Sequence, residues 1–561
     1  MDIPGQKGEF LPHVWGEGAI FAFSGVDGPT CTAAGFTTTF DHEPYNFLVH
    51  TPLRARLRLR AVDPGQVTIA TNDVLAVSTA GGDLLFTFSA WHTLCGRLPA
   101  GITPALEAVD QAENALPGAS LLSAAPGQSG FLALAQSGRR FAVAYGESTA
   151  EARARAEAGL ACNLEEILAQ RLAFIDRLPV LPDAAETRFL RKCASVMKVN
   201  TLAPEVAIRQ RWSTPDRVPH QHMWLWDSVF HSIGMNWIDA DLSWEFLQAM
   251  LEHVQPDGCM PITVEVDGAS SPMTQPPILA WGVWENYQVS GDKTRLRQAL
   301  PALEAYLEWN LSHRDQNRNG LLEWLIEEDE RCRSGESGMD NSPRFDGALT
   351  LDAVDFSTFQ ACDMDYLAKI CRVLGLDARS AIWQGRAQKT SRAVHALLWD
   401  KQVQFYTDGD MGGHLTHVRA VSSFCRCCWR ISRLSMPPPW LGHWLIRAHS
   451  DRLFRSPACL WITRSGRRIC GGGRPGSISI TWFARLCASA VIAAKPDGWR
   501  RLPWQWCAGN TSASGWCLSF LTPPDALLPL SASGKAPPGH RTISGESSIQ
   551  SAITIGRRRC A

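Results

Sequence analysis

The spacing of apolar residues changes once along this chain, and that change constrains the fold more than any single motif. Residues 18–150 contain the short runs AIFAFSGVDGPT, RARLRLRAV, QVTIATNDVLAVS, DLLFTFSAW and RRFAVAYG. They are β-branched or aromatic, and Gly, Asp and Pro separate them. Several alternate apolar and polar positions, as half-buried antiparallel strands do. Thr149–Arg177 turns to Ala, Glu and Arg, with Gly159 as its one glycine, and reads as helix. From about Asp183 to Phe424 the segments TRFLRKCASVMKVNTLA, DLSWEFLQAMLEHV, PPILAWGVWENYQVSG, TRLRQALPALEAYLEWNLSHR, DFSTFQACDMDYLAKICRVLG and ARSAIWQGRAQKTSRAVHALLWD carry apolar residues three and four apart. The expected fold is α+β and multidomain. It has an N-terminal antiparallel β-sandwich over 1–150, a linking helix over 151–182, and paired helices around a common centre over 183–424.

A second break falls at Cys425. The chain has a formal net charge of −1, but 425–561 holds 19 Lys+Arg against 4 Asp+Glu. Nine of the 17 cysteines and nine of the 22 tryptophans lie there, and all six tyrosines precede it. The stretch FCRCC, written as TTC TGC CGC TGC TGN, becomes Phe-Leu-Pro-Leu-Leu when one C follows the first codon. A lost base in a GC-rich gene makes Cys, Arg and Trp from Leu and Pro codons. We therefore read 425–561 as out of frame. The other reading is a real basic tail for nucleic acid, whose binding would fall steeply with salt. Against it, the segment has no repeat, finger spacing or stacking platform.

The N-terminus MDIPGQKGEFLPHVWG lacks the basic and apolar regions of a secretory signal. No apolar run reaches the length of a membrane span. The eight cysteines before 425 are scattered. A reduced, cytoplasmic chain without membrane or nucleic-acid partners is expected.

Three polar loops interrupt the helical pattern. TPDRVPHQHMWLWDSVFHSIGM, 214–235, gathers His220, His222, Trp224, Trp226 and Asp227. Indole faces bind the apolar faces of sugars, and a carboxylate accepts their hydroxyls. A Trp-rich core turn with Asp227 as helix N-cap fits the stretch equally well. DGASSPMTQPPILAWGVWENY, 267–287, places Gln275 before two prolines that start a helix. Its amide suits a sugar hydroxyl pair, or is a plain polar turn residue. SGESGMDNSPRFD, 334–346, crowds Glu336, Asp340, Arg344 and Asp346 into one loop. Crowded carboxylates raise one another's pKa, which keeps a general acid protonated; the alternative is acids bound to their own loop amides. DQNRNGLLEWLIEE from Asp315 begins like a calcium loop, but its twelfth position is Ile326. The bidentate ligand is missing, so a solvated turn is expected and no metal.

With HMWLWDSVFH, TQPPILAW, NGLLEW and ESGMDNSPRFD in this order, residues 190–424 resemble glycoside hydrolase family 63. Within it they look closest to the bacterial mannosylglycerate- and glucosylglycerate-hydrolase-like branch. The resemblance implies an (α/α)6 barrel, incomplete here at its C-terminal end, and inverting hydrolysis of an α-glycosidic bond without cofactor. It implies Asp340 as general acid. It places Trp226, Asp227 and Gln275 on a small carbohydrate; Trp224, Trp281, Glu336 and Arg344 are read as substrate-binding with them, Glu336 and Arg344 lying in the acid's own loop, where they orient it. The family's base, a Glu in a Phe/Tyr-Glu-Phe/Tyr stretch late in the barrel, has no counterpart after residue 424. A non-catalytic carbohydrate-binding protein is the alternative. The sequence sets neither the sugar, the aglycone nor the oligomeric state.

Overall fold

In the computed structural model, the described residues are 19–40, 45–59, 65–109, 121–123, 129–182, 184–327, 332–339, 342–346, 350–402 and 404–428. Residues 1–18, Asp340 and everything after 428 lie outside them.

The alternating runs become strands of two antiparallel sheets. β1 (Ile20–Ala22), β2 (Thr37–Phe40), β3 (Phe47–Thr51), β4 (Ala55–Leu59) and β9 (Pro104–Ala108) form the first, in the order β1-β2-β3-β4-β9. The second holds β5 (Gln66–Ala70), β6 (Leu75–Ser78), β7 (Leu84–Ala90), β8 (Thr93–Arg97), β10 (Leu121–Ser123), β11 (Phe131–Ser137) and β12 (Arg140–Gly146), in the order β10-β11-β12-β8-β7-β6-β5. The inward residues of both sheets share one core. Phe21 meets Phe88, and Phe47 meets Phe86 edge-on, with ring centroids 5.1 and 5.0 Å apart.

The expected linking helix is two helices, α1 (Thr149–Ala161) and α2 (Leu164–Asp176). The break is chemical: Asn163 caps α2 through Glu166 N, and Glu166 sits three residues on, as in a capping box. The helical pattern then gives α3 (Ala184–Val199), α4 (Leu225–Met235), α5 (Ala240–Leu251), α6 (Leu279–Ser290), α7 (Lys293–His313), α8 (Val354–Val373) and α9 (Asp377–Leu398). Asp239 and Asp292 cap α5 and α7, and Gly291, at φ 67°, ends α6. α4, α5 and α6 pack on one another, α6 and α7 on α8, and α8 on α9, around one continuous apolar core. A short helix, Cys425–Cys428, follows, and Cys425 is buried in that core.

The sheets meet the helices through polar groups. Lys198 of α3 is fully buried, and its ammonium lies 2.8 Å from Asp27 and 2.5 Å from Asp73. Arg217 donates to the carbonyls of Phe23 and Val199 at 3.0 and 2.8 Å. Burying such groups is tolerable because their donors are met, by carboxylates for Lys198 and by carbonyls for Arg217. Among the described residues, no helix is long and apolar enough to cross a membrane.

Candidate functional site

The first polar loop is only partly a loop. Its second half is α4, with Trp224 in the N-cap position at φ −110° and ψ 139°. Asp227 therefore sits inside the first turn and is not the cap, because the capping residue must precede the helix. Trp224 ends a two-residue strand paired with Thr263–Val264. Its ring lies 5.9 Å from His220, edge-on, and its Nε1 finds no hydrogen-bond partner among the described residues.

Trp226 is where three distant stretches come together. Its backbone N–H donates to Gln275 Oε1 at 3.2 Å. Its ring covers Gly338, two residues before Asp340. A Cβ on Gly338 would come within 2.4 Å of the indole, and the φ of +64° there favours glycine as well. The ring also lies 5.7 Å from Phe230, which in turn lies 6.2 Å from Trp281. Trp281 thus joins the group through Phe230. Asp363 of α8 holds the start of α6 by accepting from Ala280 N at 3.0 Å and Trp281 N at 2.8 Å. The two prolines after Gln275 precede the helix and lie outside it, since α6 begins at Leu279.

Gln275 is itself held from behind. Tyr306 of α7 donates its hydroxyl proton to the Gln275 carbonyl at 2.7 Å and lies 2.7 Å from Thr274 Oγ1. Glu336 is fully buried and binds both loops together. Its Oε1 accepts from Thr274 N at 3.2 Å and Arg314 at 2.6 Å, and its Oε2 accepts from Leu325 N at 3.1 Å. With its oxygens so occupied, Glu336 braces the two loops. Arg344 is likewise sequestered, paired with Asp355 and Asp408 at 2.6 and 2.8 Å. Tyr306, Arg314, Asp355, Asp363, Asp408 and Gly338 have no local signal in the sequence.

The calcium-like loop turns its side-chain oxygens onto its own backbone, while the amides of Asn317 and Asn319 donate to Asp352. Asp315, Asn317 and Asn319 accept from the backbone of Gly320, Asn319 and Leu321 at 3.1, 3.1 and 2.8 Å. Among the described residues, no group of three metal-binding side chains is present.

Burial pushes the Asp227 carboxyl up from 3.8 to about 7, and Asp363 likewise to about 7. The unfolded carboxyl releases its proton near 3.8, so folding takes up a proton between the two values. This contribution to stability is complete below about 4 and is lost as pH rises through about 7. We expect Asp227→Asn to flatten the fall in unfolding midpoint between about pH 5 and about pH 8, read by denaturant titration. An unaltered pH slope would show that Asp227 is already ionised at neutrality.

Residues 220–436 match the family model of the mannosylglycerate hydrolase MGH1-like glycoside hydrolase domain. Among curated relatives, the chain is similar to the mannosylglycerate hydrolase of Thermus thermophilus, 30% identical over 166 residues, which is 25% of this chain and 38% of that protein. It is 24% identical to the glucosylglycerate hydrolase of Mycolicibacterium hassiacum over 206 residues, 30% of this chain and 43% of that protein. The chain thus spans less than half the length of either relative. Among solved structures, the GH63 mannosylglycerate hydrolase of Thermus thermophilus in complex with glucose aligns with a TM-score of 0.39 and 19% identity, over 50% of this chain and 84% of that one. Residues 220–436 are therefore similar to the mannosylglycerate hydrolase MGH1-like glycoside hydrolase domain, over part of the length of the relatives that carry it.

Proposed function

We propose that this chain derives from an inverting hydrolase of small α-glycosides, of the mannosylglycerate or glucosylglycerate kind. Its 183–424 region would be the first part of an (α/α)6 barrel, joined by 151–182 to a β-sandwich over 1–150. The observation that carries the reading is the meeting of Trp226, Gln275 and the Gly338 backbone. It brings the acid's loop to the indole and the amide that would hold the sugar. Trp224, Trp226 and Trp281 offer ring faces, Asp227 and Gln275 accept and donate to hydroxyls, and Asp340 hands a proton to the departing oxygen. Glu336 and Arg344 fix the loop without touching the sugar.

Inversion needs a second carboxylate roughly 6.5–9.5 Å from the acid, to activate water on the opposite face. No Phe/Tyr-Glu-Phe/Tyr stretch stands after 424, as an out-of-frame 425–561 would explain. A base inserted after the Phe424 codon would define a frame-restored enzyme. A helix ring left without its last hairpins exposes apolar faces, so the 561-residue chain should be poorly soluble. It should also hydrolyse neither glucosylglycerate, mannosylglycerate nor a nitrophenyl α-glucoside, whereas the frame-restored enzyme should turn over at least one of them. Turnover of even about 1 per second by the chain as it stands would overturn the missing-base reading. The second reading, a carbohydrate-binding protein, rests on binding residues present without the base. Calorimetric binding by the chain and no turnover even after frame restoration would favour it.

A further inference from the structure

The sulfurs of Cys95 and Cys162, 67 residues apart in sequence, lie 3.9 Å from each other. The approach follows from one glycine. At Gly159 a Cβ would meet Ala142 Cβ and Thr93 Cγ2 at 2.8 Å, so the missing side chain lets the last turn of α1 lie directly on β8 and β12. Cys162 then caps α1 with its sulfur over Cys95 of β8. Arg140 of β12 reaches the same place. Its Nη2 donates to the Cys162 carbonyl at 2.8 Å and lies 3.4 Å from the Cys162 sulfur. Cys162 is partly exposed, whereas Cys95 is buried.

We propose that Cys162 and Cys95 form a peroxide-responsive dithiol whose oxidation closes a disulfide between the end of α1 and β8. The two sulfurs divide the roles. The Cys95 hydrogen bond and the Arg140 guanidinium bring Cys162 down to about 7 against the effect of burial, so much of it is thiolate near neutrality. The same hydrogen bond and burial push Cys95 well up, so it remains a thiol.

The Cys162 thiolate attacks one oxygen of a peroxide. An S–O bond forms, the O–O bond breaks, and the departing hydroxide takes a proton to become water. Cys162 is now a sulfenic acid. The Cys95 sulfur attacks it, the S–S bond forms and the S–O bond breaks. The leaving hydroxyl carries off the Cys95 proton as a second water. Two thiols and one peroxide give one disulfide and two waters. The product pins the α1–α2 turn to the seven-stranded sheet. No part of this rests on the glycosidase reading.

The test uses the full chain. In its native state at neutral pH, Cys162 should alkylate with iodoacetamide about tenfold faster than Cys31, another partly exposed thiol that burial pushes up. After brief hydrogen peroxide treatment, alkylation and digestion, mass spectrometry should find a Cys95–Cys162 linked peptide that dithiothreitol removes. Cys162→Ser should abolish it. Cys95→Ala should leave a Cys162 sulfenic acid that dimedone traps. Two results would overturn the proposal. One is Cys162 alkylating no faster than Cys31; the other is peroxide leaving Cys95 a free thiol while Cys162 goes on to sulfinic acid.

Discussion

Replacing Arg344 with Met should lower the unfolding free energy by about 3–5 kcal/mol, because it strands two buried carboxylates. The guanidinium makes two forked pairs. Nε and Nη2 donate to Asp408 at 2.8 and 2.9 Å, and Nη1 and Nη2 donate to Asp355 at 2.6 and 2.9 Å. Nη1 also reaches Ser422 at 2.7 Å. All three residues are nearly inaccessible, at 2% exposure each. Burial alone pulls the guanidinium down, and the two carboxylates overcome it and hold it up. Asp355 further accepts from Trp324 Nε1 at 2.9 Å, and Asp408 from Val354 N at 3.0 Å. The residue therefore joins the 342–346 segment to the start of α8, to the 405–409 segment and to Ser422.

With Arg344 gone, both carboxyls would hold protons more tightly in the folded state than in the unfolded one. Their contribution would then be favourable at low pH and lost as pH rises, so Arg344→Met should recover part of its loss near pH 5. Arg344→Lys, which keeps the charge and loses the forks, should fall between the two. Denaturant midpoints at about pH 5 and about pH 8 decide the matter. A Met variant within about 1 kcal/mol of the parent at both would mean that the pairs contribute nothing net.

How much of this is legible in the sequence depends on how locally each feature is determined. ARLRL at 55–59 alternates, and its burial alternates with it. TLCGR at 93–97 is a strand without that signal, because its first four residues are all buried and no alternation marks it. α4 carries a polar stripe at helical spacing, with Asp227 and His231, and Ser228 and Ser232, four residues apart. The stripe is buried along with the apolar face, so here the period is legible in the sequence and the burial is not. The split between α1 and α2 is written in NLEE, an Asn followed three residues on by Glu, within a stretch whose composition otherwise suggests one helix. In the site, Trp226 and Gln275 stand out by composition and motif. Their partners do not, because Tyr306 is an isolated polar residue in an apolar helix face and Asp408 meets Arg344 across 64 residues of sequence. Such pairs exist only once the chain has folded.

Asp340→Asn in the frame-restored enzyme should slow hydrolysis of an alkyl glycoside such as glucosylglycerate by about 10²–10⁴-fold. The alkoxide of such an aglycone is a poor leaving group and must be protonated as the bond breaks. An amide cannot supply that proton, while it fills the same space. The same variant should lose far less with a nitrophenyl glycoside, whose phenolate departs without help. The loss should therefore scale with the basicity of the leaving oxygen, which damage to the loop would not produce. Glu336→Gln gives the contrast. Removing its charge weakens the hold on Arg314 and on the Thr274 and Leu325 amides, so it should slow both substrates alike. Equal losses for the two substrates in Asp340→Asn would take that residue out of the acid role and leave it, like Glu336, a support for the loop that Trp226 covers.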